Sequence, residues 1–181
     1  MAFPGDSQGA DSEWVKARIS PKREEEMSKK ILVAVELSHQ SIRVIKSALS
    51  VKEEGDELVL LHVILDPSEF AGFYVPHLST EQSREELLKD ARERAERFIY
   101  RYARGTPYLL EFGFPYKVIP EVARRENADL IVIGQRKGGG MIEHLFVRRT
   151  SKRVLRDAQC EVRVVPLPVV TEEELQSGPA V

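Results

Sequence analysis

The residues best suited to hold an anion lie between Asp129 and Val165. The apolar run Leu130 to Ile133 ends in Gly134, and Gln135, Arg136, Lys137, Gly138, Gly139 and Gly140 follow. From Arg136 to Arg156 there are seven cations (Arg136, Lys137, Arg148, Arg149, Lys152, Arg153, Arg156) and a single carboxylate, Glu143. A glycine loop between a strand and a helix can cradle phosphate, because its backbone N–H groups and the helix N-terminus face the anion. A flexible turn has the same pattern, and the motif alone leaves both readings open.

Other reactive side chains offer less. The four histidines (His39, His62, His77, His144) show no close metal-ligand spacing. His62 falls inside an apolar run and reads as a hydrogen-bonded core residue; His144 sits beside the glycine loop and reads as an exposed helical position. Cys160 is the only cysteine, which excludes an intramolecular disulfide and a cysteine-based zinc site within one chain. Its acidic neighbours Asp157 and Glu161 disfavour a thiolate, so a structural role is expected. Thr150 and Ser151 follow an arginine pair and are candidate phosphorylation sites. No glycine-flanked serine elbow is present.

These residues must be positioned by a fold, and composition limits its class. The 181-residue chain is 42% hydrophobic and 31% charged, with a formal net charge of -2. That is enough apolar material for one core and suggests neither nucleic acid nor an anionic membrane as a partner. No apolar run approaches the ~20 residues that span a bilayer, and the N-terminus lacks a secretory pattern. A cytoplasmic protein is expected. Residues 1–28 and 167–181 read as flexible extensions, the second acidic, because neither holds enough periodic apolar surface to offset the entropy of ordering.

Between them, strands and helices alternate. Ile31 to Val35 is continuously apolar, as a strand buried on both faces must be. Ser38 or Ser41 is placed to cap the next helix (Ile42, Ile45, Ala48, Leu49), with Gly55 as its stop. Leu58 to Leu65 is a second strand. The long loop Asp66 to Ser79 carries Phe70, Phe73 and Tyr74, which could cover a ligand or pack on an edge or partner. Leu87, Leu88, Ala91, Ala95, Phe98, Ile99 and Tyr102 make one helical stripe ending at Gly105. Thr106 to Phe112 is a third strand, Val118 to Ala123 a short helix, and Leu130 to Ile133 a fourth strand. A last helix precedes a fifth strand, Glu161 to Val165, stopped by Pro166 and Pro168. The pattern predicts an α/β sandwich with a mainly parallel sheet, whose ligands sit beyond the C-terminal strand ends where strand order reverses. Glu36 and Gly134 are expected to be neighbours there.

In several segments the chain resembles the universal stress protein family. KKILVAVELSHQS looks like the family's first strand and turn, LVLLHVI its second strand, GFPYKVIPEVARRENADLIVIG its third helix and fourth strand, and VLRDAQCEVRVVP its last helix and strand. The resemblance covers Lys29 to Pro166. It implies a Rossmann-like three-layer sandwich, with a five-stranded parallel sheet of order 3-2-1-4-5, four helices, and a homodimer made by pairing fifth strands (Val162, Val164). In the family's nucleotide-binding branch, adenine lies beside a first-strand acid and the backbone after the second-strand histidine, which here are Glu36 and Val63. The implied ligand is ATP or AMP.

The family's phosphate loop runs Gly, two residues, Gly, nine residues, Gly, then Ser or Thr. Gly134 matches the first position. The second falls on Lys137, or on Gly138 after a one-residue insertion, and the final pair becomes Arg148-Arg149. One reading is an anion site rebuilt from Arg136, Lys137, Arg148 and Arg149, since guanidinium binds phosphate bidentately. The other is a scaffold that has lost nucleotide. The expected function is a stress-response or regulatory module with an altered adenine-nucleotide site, or else an interaction scaffold serving a protein partner. A slow nucleotide hydrolase is a third reading, set back by the absence of a recognisable base or metal set.

Overall fold

The computed structural model describes residues 28–65, 81–136 and 143–168, with the backbone alone described at 81–83 and 143–149. Outside these lie most of both predicted extensions, the aromatic loop with Phe70, Phe73 and Tyr74, and the loop residues Lys137 and Gly138. In chain order the elements are β1 (Lys30–Ala34), α1 (Ser41–Leu49), β2 (Glu57–Ile64), α2 (Glu81–Tyr102), β3 (Tyr108–Phe112), α3 (Pro115–Arg125), β4 (Leu130–Arg136), α4 (Glu143–Asp157) and β5 (Glu161–Leu167). The five strands form one parallel sheet of order β3-β2-β1-β4-β5, as expected.

The continuous apolarity of β1 follows from its central place. Ile31, Val33 and Val35 face the layer of α1 and α2, where Val44, Ala48, Ala95 and Phe98 pack. Leu32 faces the layer of α3 and α4, with Ile119, Val122 and Val154. Ile31, Leu32 and Val33 are each 1% exposed or less, a burial that stabilises by roughly 1.5–3 kcal/mol per side chain as an upper bound.

Three local expectations are corrected. Neither Ser38 nor Ser41 caps α1: Gln40 is the N-cap residue and makes no side-chain capping bond. The Ser41 hydroxyl turns back into the β1–α1 turn instead. Gly55 is not the stop of α1, which ends at Leu49 with Ser50 as C-cap; at φ +92° it serves the turn into β2. Pro166 does not stop the fifth strand, which continues in register through Gln135↔Pro166 to Arg136↔Leu167. β5 is the edge strand, so the missing proline N–H deprives no neighbouring strand of a bond.

The short third helix is longer at its start than its apolar positions suggest. Pro115 occupies its first turn, where a missing N–H costs nothing. Pro120 lies inside it and removes the bond to the Tyr116 carbonyl. The helix persists because Ile119, Val122 and Ala123 are buried against the sheet.

Candidate functional site

The C-terminal ends of the strands come together around a cleft of about 300 Å³. It opens between β1 and β4, where the chain passes to β2 on one side and β5 on the other, the place where open parallel sheets receive ligands. The size is at the lower end of small-molecule sites.

Glu36 reaches this cleft through a tightly made turn. Its backbone N–H donates to Ser41 Oγ at 3.1 Å, and that of Ser38 donates to the same atom at 3.2 Å. Between them Leu37 adopts φ +56°, a left-handed conformation costly for a branched side chain. The buried Ser41 hydroxyl, 3% exposed, thus holds a strained turn that presents the glutamate. Across the crevice the Arg136 guanidinium donates to Glu36 Oε2 at 2.5 Å, joining residues one hundred positions apart. The glutamate side chain is half exposed, so solvent screening keeps this pair within about 1 kcal/mol.

His62, on β2, ties the turn from beneath. Its Nδ1 lies 2.9 Å from the Val35 carbonyl oxygen. A carbonyl only accepts, so Nδ1 carries the proton and Nε2 keeps its lone pair. Burial pushes the imidazole pKa below its ordinary value, against the opposing pull of the Val35 bond. The ring stands neutral on the cleft wall. The expectation of a hydrogen-bonded residue therefore holds, with the addition that it borders the site.

Gly134 lies on the α1 side of the sheet. A Cβ there would stand 2.6 Å from Leu167 Cδ1 and 3.1 Å from Val44 Cγ2. Packing therefore favours a glycine here whatever the cleft binds, since a Cβ would have to displace the end of the Leu167 side chain and press on Val44. Leu167 also lines the cleft, and Gln40 Nε2 donates to the next carbonyl, that of Pro168, at 3.2 Å. The end of β5 is thereby fastened to the start of α1.

The sequence profile of the universal stress protein family matches residues 27–166. The chain belongs to the universal stress protein family. A family relative from Methanocaldococcus jannaschii is 30% identical over 148 residues, covering 80% of this chain and 85% of its own. A relative from Staphylococcus haemolyticus bearing the same family name is 32% identical over 150 residues, covering 80% and 88%. Among solved structures, the universal stress protein UspA of Lactobacillus plantarum superposes with a TM-score of 0.54 at 25% identity, covering 76% of this chain and 97% of that one. A universal stress protein family structure from Burkholderia pseudomallei, at 22% identity and a TM-score of 0.53, shares the fold over 77% of this chain and 97% of its own.

In this universal stress protein the structure brings Glu36, Val63, Gly134 and Arg136 to one cleft. Gly138 lies outside the described residues, and Arg148 and Arg149 belong to α4 at positions where only the backbone is described. Of the basic stretch, Arg156 pairs with Asp157 at 2.6 Å, and Arg153 lies over the Tyr116 ring at 4.1 Å. Burial and the nearby Asp129 carboxylate raise the Cys160 thiol above its ordinary pKa. Ser151 is 1% exposed; a kinase has no access to its hydroxyl in the folded state. Among the described residues no cluster of His, Cys, Asp and Glu could hold a metal ion, and no helix is long and apolar enough to cross a membrane.

Phe114, Tyr116 and Leu167 are among the cleft residues that the sequence reading did not place at the site. The first two follow the C-terminal end of β3. In a parallel sheet that end opens on the same rim as those of β1 and β4, so the segment GFPY carried a usable signal.

Proposed function

We propose that this universal stress protein is a regulatory, stress-response module of the cytoplasm that binds an adenine nucleotide, ATP or AMP, in the cleft between β1 and β4. The observation that carries this reading is the convergence of Glu36, Val63, Gly134 and Arg136 at the switch point of the sheet. A half-exposed carboxylate can accept from an exocyclic amine, the backbone beside Val63 offers the complementary edge, and Arg136 brings a cation that binds phosphate or ribose oxygens. Lys137, Gly138, Arg148 and Arg149 would supply the phosphate end in place of a glycine-serine pair. Binding acts by changing the surface shown to a protein partner, and the module works as a homodimer.

Calorimetry with ATP, ADP and AMP tests this, together with mass spectrometry of nucleotide released from the denatured protein. Binding at millimolar nucleotide or below is expected, and Glu36→Ala should weaken it about tenfold, the worth of one charge-assisted hydrogen bond. A silent calorimeter and no carried ligand would refute nucleotide binding.

Two observations favour a second reading, a scaffold of the same fold without nucleotide. Leu167 and Val44 account for Gly134 by packing, and Glu36 and Arg136 neutralise one another. Under that reading, Glu36→Ala and Arg136→Ala change partner binding and leave nucleotide affinity at zero.

A further inference from the structure

Glu36 and Arg136 stand at the cleft as a bonded pair, and the sheet explains how they meet. β1 and β4 pair in register up to Ala34↔Ile133. Beyond that point β4 continues beside β5 to Arg136, while the chain leaves β1 and turns at Glu36 towards α1. The two strands therefore part where the cleft opens. The Arg136 guanidinium bridges the gap, donating to Glu36 Oε2 at 2.5 Å, and both residues line the cleft. The backbone under the carboxylate is fixed by the turn bonded to Ser41, in which Leu37 holds φ +56°.

A ligand that uses one of these residues must deal with the other. An uncharged nucleoside whose amine takes Glu36 draws this carboxylate away from the Arg136 cation. A phosphate that takes Arg136 alone sets a second anion beside Glu36, and like charges repel. A nucleoside phosphate meets both demands, because its amine donates to the carboxylate while its phosphate accepts from the guanidinium. The pair separates as such a ligand enters: the carboxylate keeps the base end and the longer arginine side chain follows the phosphate. Each member thus exchanges one complementary partner for another, and occupancy at the two ends is coupled.

We infer that the Glu36–Arg136 pair is a gate on this cleft that selects phosphorylated nucleosides over bare nucleosides. The inference rests on the nucleotide reading above and names how the site chooses among ligands that share a base. The glutamate side chain is half exposed, so the gate holds back a bare nucleoside only about three- to fivefold.

The test is calorimetry of the full chain with AMP and with adenosine, supported by ligand proton spectra where binding is weak. The unaltered protein is compared with Arg136→Gln, which removes the charge that holds Glu36, and with Arg136→Lys, which keeps a cation. In Arg136→Gln, AMP should bind about tenfold more weakly and adenosine about three- to fivefold more tightly. Arg136→Lys should return both affinities towards those of the unaltered protein. A residue that only supports the fold weakens both ligands together when it is replaced, so the opposite signs separate a gate from a structural role. AMP binding by the unaltered protein, with adenosine no tighter in Arg136→Gln, overturns the gate and leaves the nucleotide reading standing. No AMP binding by the unaltered protein overturns both. Thermal melts show whether the variants keep their fold. If they do not, a salt series on the unaltered protein carries the test: adenosine is uncharged, and its affinity should rise as salt screens the pair. Adenosine affinity that stays level or falls with salt then overturns the gate.

Discussion

Single side chains set the geometry of this cleft from positions that look unremarkable. Ser41 resembles a helix cap, yet its oxygen accepts from two backbone donors in the turn before the helix. His62 resembles core filling, yet it fixes the carbonyl of the residue before Glu36. Its lowered pKa has a consequence for stability. Below 6.5 an unfolded chain takes up a proton that the folded imidazole refuses, because burial disfavours the charged ring. The contribution of neutral His62 is therefore complete above 6.5 and lost as the pH falls from there through the folded value. We expect an NMR titration midpoint for His62 below 6.5, and a stability decline on acidification that is shallower in His62→Gln, measured by urea unfolding. A midpoint at or above 6.5 would contradict the burial argument.

At the level of elements, the packing of β4 against β5 and α1 bears on a glycine that the sequence leaves open between a phosphate loop and a turn. Gly134 reads from sequence as the end of a strand and the start of a loop, but the strand runs on through Gln135 to Arg136, so Gly134 lies within β4, paired with Val165. Its packing against Leu167 and Val44 is not legible, because Leu167 follows a proline that marks a strand end and Val44 belongs to another helix. Gly134→Ala should destabilise by about 1–3 kcal/mol, the usual cost of overpacking. Leu167→Ala should remove much of that cost, since the nearest clashing atom is Leu167 Cδ1. A double-mutant cycle in urea tests the coupling. Additive costs would show that the two residues do not compete for the same space. The aromatic turn GFPY was overlooked for a related reason: its residue types read as a loop until β3 is placed beside β2, with its C-terminal end on the cleft.

The whole molecule raises the question of its edges. β5 is an edge strand, paired to β4 along seven residues, and Val162 and Val164 remain partly exposed while packed on the α3 and α4 layer. An edge of this length presents unpaired backbone groups and invites pairing with another strand. Light scattering in the tens of micromolar range should give twice the 20.6 kDa chain mass, and Val162→Asp should lower it toward one chain. A monomer for the unaltered protein would reject pairing through β5.

What the sequence determined by itself is the order of elements and the layers they form. Continuous apolar runs must be buried on both faces, and amphipathic helices must cover them, so a mainly parallel sheet could be expected before any coordinates; its strand order was implied by the resemblance to the family. The sequence also pointed to the cleft, because Glu36 follows β1 and Gly134 lies near the C-terminal end of β4. Only the tertiary structure decided the partners. Arg136 meets Glu36 from one hundred residues away, Ser41 faces backward into its turn, Leu167 fills the place of a missing side chain, and Phe114 with Tyr116 lines the cleft. Periodicity reports which face of an element is buried; it does not report which atoms of distant elements share a face, and that is settled when the strand ends come together on one rim.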